Sequence, residues 1–142
     1  MARQRTLAII KPDAMKQNKA GAIIARLQEA GFEIKALRQV ELTRKQAEGF
    51  YDVHRGKSFF MPLCEFMSSA PVIVMVLEAD NAIDRYREVI GATDPARADK
   101  DTIRRLYGTN VGENAVHGSD ARETAAREIA YFFPGCEVAA AV

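Results

Sequence analysis

The segment NAVHGSD, residues 114–120, holds one of the two histidines of the chain directly before a predicted helix. Asp120 is the predicted N-cap of that helix, and Glu123 stands where a capping box places a carboxylate. Because the first turn of a helix favours an anion over a cation, His117 is expected to be neutral near neutral pH. A neutral imidazole has a free lone pair, so the segment indicates a nucleophile where a phosphorylated product is stabilised. The alternative is a histidine that only forms structural hydrogen bonds.

The predicted last helix carries a carboxylate, Glu128, on its apolar side. At about 100° per residue, Glu128 points along the same arc as Ala125 and Phe132. A carboxylate on an apolar stripe needs a polar partner, and the nearest polar residues at the head of the helix are Ser119 and His117. We therefore expect Glu128 to orient Ser119 or His117 from behind.

Basic side chains precede the histidine in a number that suits a phosphate ligand. They lie in one predicted helix and the loop after it: Arg85, Arg87, Arg97, Lys100, Arg104 and Arg105. Planar guanidinium groups match phosphate oxygens better than an ammonium group does, and a solvated charged surface is the alternative interpretation. Lys11 is a further candidate, because it ends a buried apolar strand at a sheet edge, where ligands commonly bind.

The composition is that of one globular domain spanning residues 1–142. Apolar residues make up 48% of the chain and charged residues 27%, which is too apolar for disorder. The net charge of +1 favours neither a nucleic acid nor a membrane surface. The longest apolar run, APVIVMVL, is too short to span a bilayer, and the N-terminus lacks a signal-peptide pattern. Cys64 and Cys136 show no metal-type spacing, so reduced thiols in the cytoplasm are expected.

Hydrophobic periodicity divides the chain into alternating strands and helices. Strands are predicted at residues 6–11, 32–42, 71–78 and 114–119. Helices are predicted at residues 20–31, 44–54, 58–70, 81–91 and 121–133. This order is typical of a ferredoxin-like βαββαβ sandwich, an α/β (α+β) fold with a four-stranded antiparallel sheet and helices packed on one face. A flavodoxin-like parallel sheet is the alternative.

Local signals add detail to these elements. The hydrophobic alternation slips phase within residues 32–42, which indicates a β-bulge. Thr43 and Gln46 form a capping-box pattern, and Asn81 is predicted to cap the helix that it begins. Residues 91–113 show little periodicity, and so long a connection is usually functional.

Several blocks in the chain resemble the nucleoside diphosphate kinase family. Next to NAVHGSD the resemblance includes the segments TLAIIKPDA, RGKSFF, GATDP and TIR, and it covers the chain from about Arg5 to Phe133. It implies the ferredoxin-like fold and a phosphotransferase. The implied reaction is reversible ping-pong transfer of a γ-phosphoryl group from a nucleoside triphosphate to a nucleoside diphosphate, through a phosphohistidine at His117 and with broad base tolerance.

The resemblance also implies roles for individual residues. The catalytic set would be His117 as phosphoryl acceptor with Lys11, Tyr51, Asn114, Ser119 and Glu128. Nucleotide contacts would come from Lys11, His54, Phe59, Arg87, Thr93, Arg104, Val111 and Asn114. Magnesium would arrive on the nucleotide phosphates rather than in a protein cage, and the implied assembly is a homo-oligomer, either a tetramer or a hexamer.

Some positions depart from the usual family pattern. Lys100 and Asp101 stand where the family often has Pro-Gly, so this loop and its subunit contacts can differ. The alternative function is a non-catalytic nucleotide-binding module, or a protein phosphohistidine relay, on the same fold. Such a module would not need the nucleophile, the phosphate-binding arginines and the nucleoside-binding residues together.

Overall fold

A computed structural model describes residues 3–135 of the chain. Four strands form one antiparallel sheet in the order β2-β3-β1-β4. Their bounds are Arg3–Ile10 (β1), Glu33–Val40 (β2), Val72–Asp80 (β3) and Val116–Gly118 (β4). The predicted ferredoxin-like class is confirmed, and the parallel alternative is wrong.

The described residues also form seven α-helices and two short 3₁₀ segments, which lie between the strands or, for the last helix, after β4. The helices are Pro12–Lys16 (α1), Ala20–Glu29 (α2), Arg44–Phe50 (α3), Phe60–Met67 (α4), Ala82–Ile90 (α5), Ile103–Tyr107 (α6) and Arg122–Phe132 (α7). The 3₁₀ segments are Asp52–His54 and Pro95–Arg97. No helix within residues 3–135 is long and apolar enough to cross a membrane.

Helices cover both faces of the sheet, so the prediction of helices on one face is wrong. Successive strand residues point to opposite faces, and those of β3 alternate between two apolar clusters. On one side Met75 and Leu77 join a cluster with residues of α2 and α5. On the other, Val74 and Val76 join a cluster with residues of α3, α4 and α7. This double cover explains why β3 is apolar at nearly every position.

The local predictions concerned a β-bulge in β2 and the N-termini of α3 and α5. The register of β2 and β3 shifts between Ile34 and Ala36, which confirms the bulge. Thr43 forms a full capping box with Gln46, as predicted. Asn81 does not cap α5: it has φ +52° and makes no side-chain cap bond.

Two further elements differ from the sequence-based expectation. Asp120 is not the N-cap of α7. The N-cap is Ala121, which has an extended backbone and no side chain that could cap the helix. Residues 91–113 are not one irregular loop, since they contain a 3₁₀ turn and α6. Thr102 is the N-cap of α6, and its side chain accepts the main-chain N–H of Arg105. The first strand stops before Lys11 because Pro12 opens α1, a helix that periodicity did not predict.

Candidate active site

Strand β4, at the edge of the sheet, carries His117, which pairs with Ile9 of β1. The histidine borders a cavity of about 1050 Å³. The predicted nucleotide-contact residues all line this cavity, which brings together Lys11, His54, Phe59, Arg87, Thr93, Arg104, Val111 and Asn114. The other predicted site residues, Tyr51, Ser119 and Glu128, are buried beside the histidine.

One imidazole nitrogen of His117 is tied to a carboxylate. Its Nε2 lies 2.9 Å from Oε1 of Glu128, and Ser119 Oγ donates to the same oxygen at 2.8 Å. A carboxylate oxygen accepts hydrogen bonds, so in the neutral ring the hydrogen belongs on Nε2 and the lone pair on Nδ1. Within residues 3–135 no hydrogen bond to Nδ1 is found. The contact of Glu128 with Ser119 and His117 is the one that the helix periodicity predicted.

Aromatic rings enclose the imidazole of His117. The ring of Phe50 lies 5.4 Å from it and that of Tyr51 lies 6.0 Å from it, both edge-on. The Tyr51 hydroxyl is buried and makes no hydrogen bond with any residue of the described chain. Burial, followed by the charge of Glu128, raises the pKa of Tyr51, so its hydroxyl stays protonated and remains a donor.

Lys11 and Asn114 form a buried polar pair on the cavity wall. Nζ of Lys11 donates to Oδ1 of Asn114 at 2.8 Å, and Nδ2 of Asn114 donates to the main-chain oxygen of Thr93 at 3.0 Å. Burial, and then the nearby charge of Arg104, lowers the pKa of Lys11 to about 8. The lysine is therefore largely cationic at neutral pH yet close to its titration point.

Asp13 belongs to this wall too, although the sequence analysis did not single it out. Its Oδ2 accepts the main-chain N–H of Ala115 at 3.0 Å, and Ala115 has φ +75°. A positive φ is strained for alanine, and the aspartate stabilises it next to Asn114. Asp13 is part of the KPDA segment, but its hydrogen-bond partner is the main-chain N–H of Ala115, which is far away in the sequence.

The two predicted phosphate-binding arginines differ in their surroundings. Arg104 donates to the main-chain oxygens of Gly91 at 3.1 Å and Val116 at 2.9 Å, so much of its guanidinium is occupied by backbone. Arg87 is exposed at the cavity and forms no ion pair with another described residue. Arg87 is thus the freer of the two cations for an anionic ligand.

Apolar side chains form the outer part of the cavity. Phe59 is 47% exposed and Val111 is 56% exposed, and both line the cavity. The ring of His54 lies 5.2 Å from that of Phe59, with which Lys57 makes a cation–π contact. Exposed apolar groups at a cavity mouth suit a flat ligand that stacks. Three residues of α4 that the sequence analysis did not assign to the site also line this wall, namely Pro62, Leu63 and Phe66.

A histidine with one nitrogen held by a carboxylate, facing cations and apolar rings on a ferredoxin-like sheet, defines a phosphotransferase. The sequence model of the nucleoside diphosphate kinase family matches residues 4–138, and the chain belongs to this family. The resemblance found in the sequence is confirmed. Nucleotide phosphoryl transfer is the chemistry of this family, and the non-catalytic alternative is not favoured.

Similar proteins support the assignment over nearly the whole chain. A nucleoside diphosphate kinase of Sorangium cellulosum is 65% identical over 139 residues, which cover 98% of this chain and 96% of the relative. One of Brucella canis is 56% identical over 138 residues, covering 97% of this chain and 99% of the relative.

Solved structures share the fold. The Aquifex aeolicus nucleoside diphosphate kinase superposes with a TM-score of 0.93 at 48% identity, covering 96% of this chain and 99% of that one. A halophilic enzyme of the same name from Halobacterium salinarum, in complex with CDP, has a TM-score of 0.88 at 36% identity, covering 92% and 88%.

Proposed function

We propose that the chain exchanges the γ-phosphoryl group between nucleoside triphosphates and diphosphates, with Nδ1 of His117 as the acceptor. The observation that carries this proposal is the 2.9 Å contact of Nε2 with Glu128 in a ring that borders the cavity. This contact fixes the tautomer and leaves the Nδ1 lone pair for nucleophilic attack.

The second half-reaction is the reverse of the first, with a different nucleoside diphosphate. In the first, the Nδ1 lone pair of His117 forms a bond to the γ-phosphorus, and the bond from phosphorus to the β,γ-bridging oxygen breaks. The electron pair stays on that oxygen, and a nucleoside diphosphate leaves. The imidazole gains positive charge, which the carboxylate of Glu128 stabilises through the Nε2 hydrogen. In the second, a β-phosphate oxygen of another diphosphate attacks the phosphorus and the N–P bond breaks.

Histidine suits this exchange better than an alcohol nucleophile. The N–P bond of a phosphohistidine is energy-rich, comparable to the phosphoanhydride that it replaces. Each half-reaction therefore has little net drop in free energy, whereas a serine phosphate would trap the group. The reversible ping-pong course follows from this balance.

The polar wall of the cavity would hold the phosphates. Arg87, Thr93 and Arg104 are proposed to bind them, and Lys11 with Asn114 to bind the sugar hydroxyl and the phosphates. The freedom of Arg87 from ion pairs with described residues and the cationic state of Lys11 support this arrangement. Fixed cations around a transferring phosphoryl group supply most of the stabilisation that the reaction needs.

The apolar mouth would hold the base. Phe59 is proposed to stack on one face and Val111 to contact the other, with His54 and Tyr51 close by. Stacking does not read the edge of a base, so purines and pyrimidines should bind similarly. The CDP complex of the Halobacterium relative supports a pyrimidine nucleotide among the ligands.

Magnesium is the proposed cofactor, bound to the nucleotide phosphates. Among residues 3–135 the structure has no group of three or more histidine, cysteine, aspartate or glutamate side chains that could hold a metal ion. Glu88 and Asp120 line the cavity, and their carboxylates would accept hydrogen bonds from water bound to such an ion. The bound ion would neutralise phosphate charge.

The remaining proposals concern the setting of the enzyme. We propose one domain over residues 1–142, in a homo-oligomer of four or six subunits, in the cytoplasm. The edge position of β2, where Leu37 is 45% exposed, supports a subunit contact. The proposed partners are small nucleotides rather than nucleic acid or a membrane, and the net charge of +1 supports this proposal because it gives no excess of basic groups.

A label-transfer experiment tests the function. The protein is mixed with ATP labelled at the γ-phosphate, and a different nucleoside diphosphate is then added. We expect label first on the protein and then on the new triphosphate, with neither step in His117→Ala. Label that never reaches the protein, or a His117→Ala variant that still turns over, would contradict the proposal.

A further inference from the structure

Tyr86 of α5 lies in the apolar core with Val116 of β4 and does not line the cavity. Its side chain is completely buried, and its ring packs edge-on against Phe32 at 6.1 Å. Its hydroxyl donates to the main-chain oxygen of His117 at 2.9 Å. Burial raises the pKa of Tyr86, so this hydroxyl is a permanent donor. The site described above does not use this residue.

Gly118 makes room for this contact. A Cβ atom placed on Gly118 would lie 2.4 Å from Cε2 of Tyr86, well inside van der Waals contact. The glycine therefore allows the tyrosine ring to lie directly against the strand, with the hydroxyl under the main chain of His117. The residue after the histidine in the NAVHGSD segment and the tyrosine of α5 form one close-packed unit.

The strand that carries the nucleophile needs such support. Strand β4 has only three residues and lies at the edge of the sheet, with β1 as its one neighbour. The side chain of Arg104 donates a hydrogen bond to the main-chain oxygen of Val116, and that of Tyr86 donates one to the main-chain oxygen of His117. Without these bonds a three-residue edge strand has little to fix its distance from the helices.

Helix α5 also carries a cation of the cavity wall, Arg87, which forms no ion pair with another residue in the range 3–135. Arg87 follows Tyr86 directly in the sequence, and Arg87 lines the cavity while Tyr86 is buried in the core. The hydrogen bond from Tyr86 to His117 therefore links the main chain of the nucleophile to the helix that presents this guanidinium.

We propose that Tyr86 is a positioning residue, which fixes the main chain of His117 relative to Arg87 and so sets the geometry of phosphoryl attack. The inference rests on the proposed function, because it needs His117 as the acceptor. Misplacement of reacting groups by a fraction of an ångström slows transfer without removing any group that binds the nucleotide.

The test compares two tyrosine variants. Tyr86→Phe removes only the buried hydroxyl. Tyr131→Phe is the matched control, because it removes a similar hydroxyl-to-carbonyl bond, from Tyr131 to the main chain of Gln46 at 2.8 Å. Rapid-quench labelling with γ-labelled ATP yields the rate constant for phosphoprotein formation and the fraction of sites labelled. Equilibrium titration yields the nucleotide affinity.

We expect Tyr86→Phe to lower the rate constant about tenfold, with full labelling and an affinity within about twofold of the parent. Tyr131→Phe should match the parent protein. A purely structural role would instead lower the labelled fraction and leave the rate constant unchanged, and that result would overturn the inference. Equal rate constants for Tyr86→Phe and Tyr131→Phe would overturn it as well.

A spectroscopic measurement adds an independent readout. The chain has only two histidines, so ¹⁵N labelling of histidine yields two sets of ring signals. We expect Tyr86→Phe to shift the ring signals of His117 and to leave those of His54 in place. If the parent protein itself takes no label, the proposed function fails. If the parent labels and the two variants behave alike, only the role of Tyr86 fails.

Discussion

Oε1 of Glu128 lies 2.9 Å from Nε2 of His117 and also accepts the hydroxyl of Ser119. Oε1 of Glu128 thus orients the imidazole ring of His117, and the hydroxyl of Ser119 orients Oε1. The carboxylate fixes which imidazole nitrogen carries the hydrogen, and its charge opposes the positive charge that the ring gains on phosphorylation.

Glu128→Gln keeps the size of the side chain and removes its charge. We expect phosphorylation of His117 to slow by roughly 10- to 100-fold, because the ring loses its counter-charge. Rapid-quench labelling measures this rate. Ser119→Ala is the comparison, with a smaller loss, since it removes one supporting hydroxyl. A larger loss for Ser119→Ala than for Glu128→Gln would mean that the carboxylate charge is not the main contribution.

Lys11 gives the protein a pH dependence near its pKa of about 8. Above that pH the folded lysine loses its proton, so nucleotide affinity should fall as the pH rises through about 8. Isothermal titration with a nucleoside diphosphate at several pH values measures the affinity, and Lys11→Met should remove this part of the profile. An unchanged profile in Lys11→Met would assign the titration to another group.

The same lysine predicts a stability effect with the opposite pH trend. The ordinary lysine pKa is 10.5, so between about 8 and 10.5 the unfolded chain holds the proton and the folded chain does not. The contribution of Lys11 to the free energy of unfolding therefore rises with pH in this window. Lys11→Met should be at least as stable as the parent near neutral pH, with an advantage that shrinks towards about pH 10 in urea melts.

Phe59→Ala tests the stacking of the base. Loss of one stacking contact should raise the KM of every nucleoside diphosphate by about tenfold, whichever base it carries. Steady-state kinetics with four different diphosphates measures the change. Val53→Ala is the matched control, because Val53 is 63% exposed and does not line the cavity. A loss confined to one base would reveal recognition of the base edge.

Asp101 has φ +74°, a left-handed conformation that favours glycine. Arg26 donates to its main-chain oxygen, which helps to hold this turn. Asp101→Gly should raise the free energy of unfolding by about 1 kcal/mol, whereas Asp101→Ala should lower it, because alanine tolerates a positive φ poorly. Thermal melts of the two variants measure the difference. Equal melting temperatures would show that the turn is not strained.

The sequence predicted the fold because the apolar pattern is nearly complete. Strand β3 is buried on both faces, and its neighbours alternate between two apolar clusters, so periodicity alone located them. Short elements carry no such period, and α1 and α6 were missed for that reason. The predicted cap at Asn81 was wrong because the N–H of Ile83 is instead bonded to the side chain of Gln4, a contact that only the folded chain creates.

A site residue was predictable where the helical period placed a polar side chain on an apolar face. Glu128 was found because it lies on an apolar stripe near the predicted nucleophile. Asp13 and Tyr86 were not found, because both bond to main-chain groups distant in sequence, those of Ala115 and His117. Such a bond leaves no pattern of residue types along the chain.

Strand β1 begins the described chain but lies inside the sheet, between β3 and β4. Its pairing with β4 joins the first strand of the chain to the last one, and contacts so distant in sequence form slowly. During synthesis on a ribosome, one edge of β1 stays unpaired until residues 116–118 have emerged and can form β4. A chain that has not reached this point has no nucleophile and an open sheet edge, so premature termination products are targets for aggregation and proteolysis.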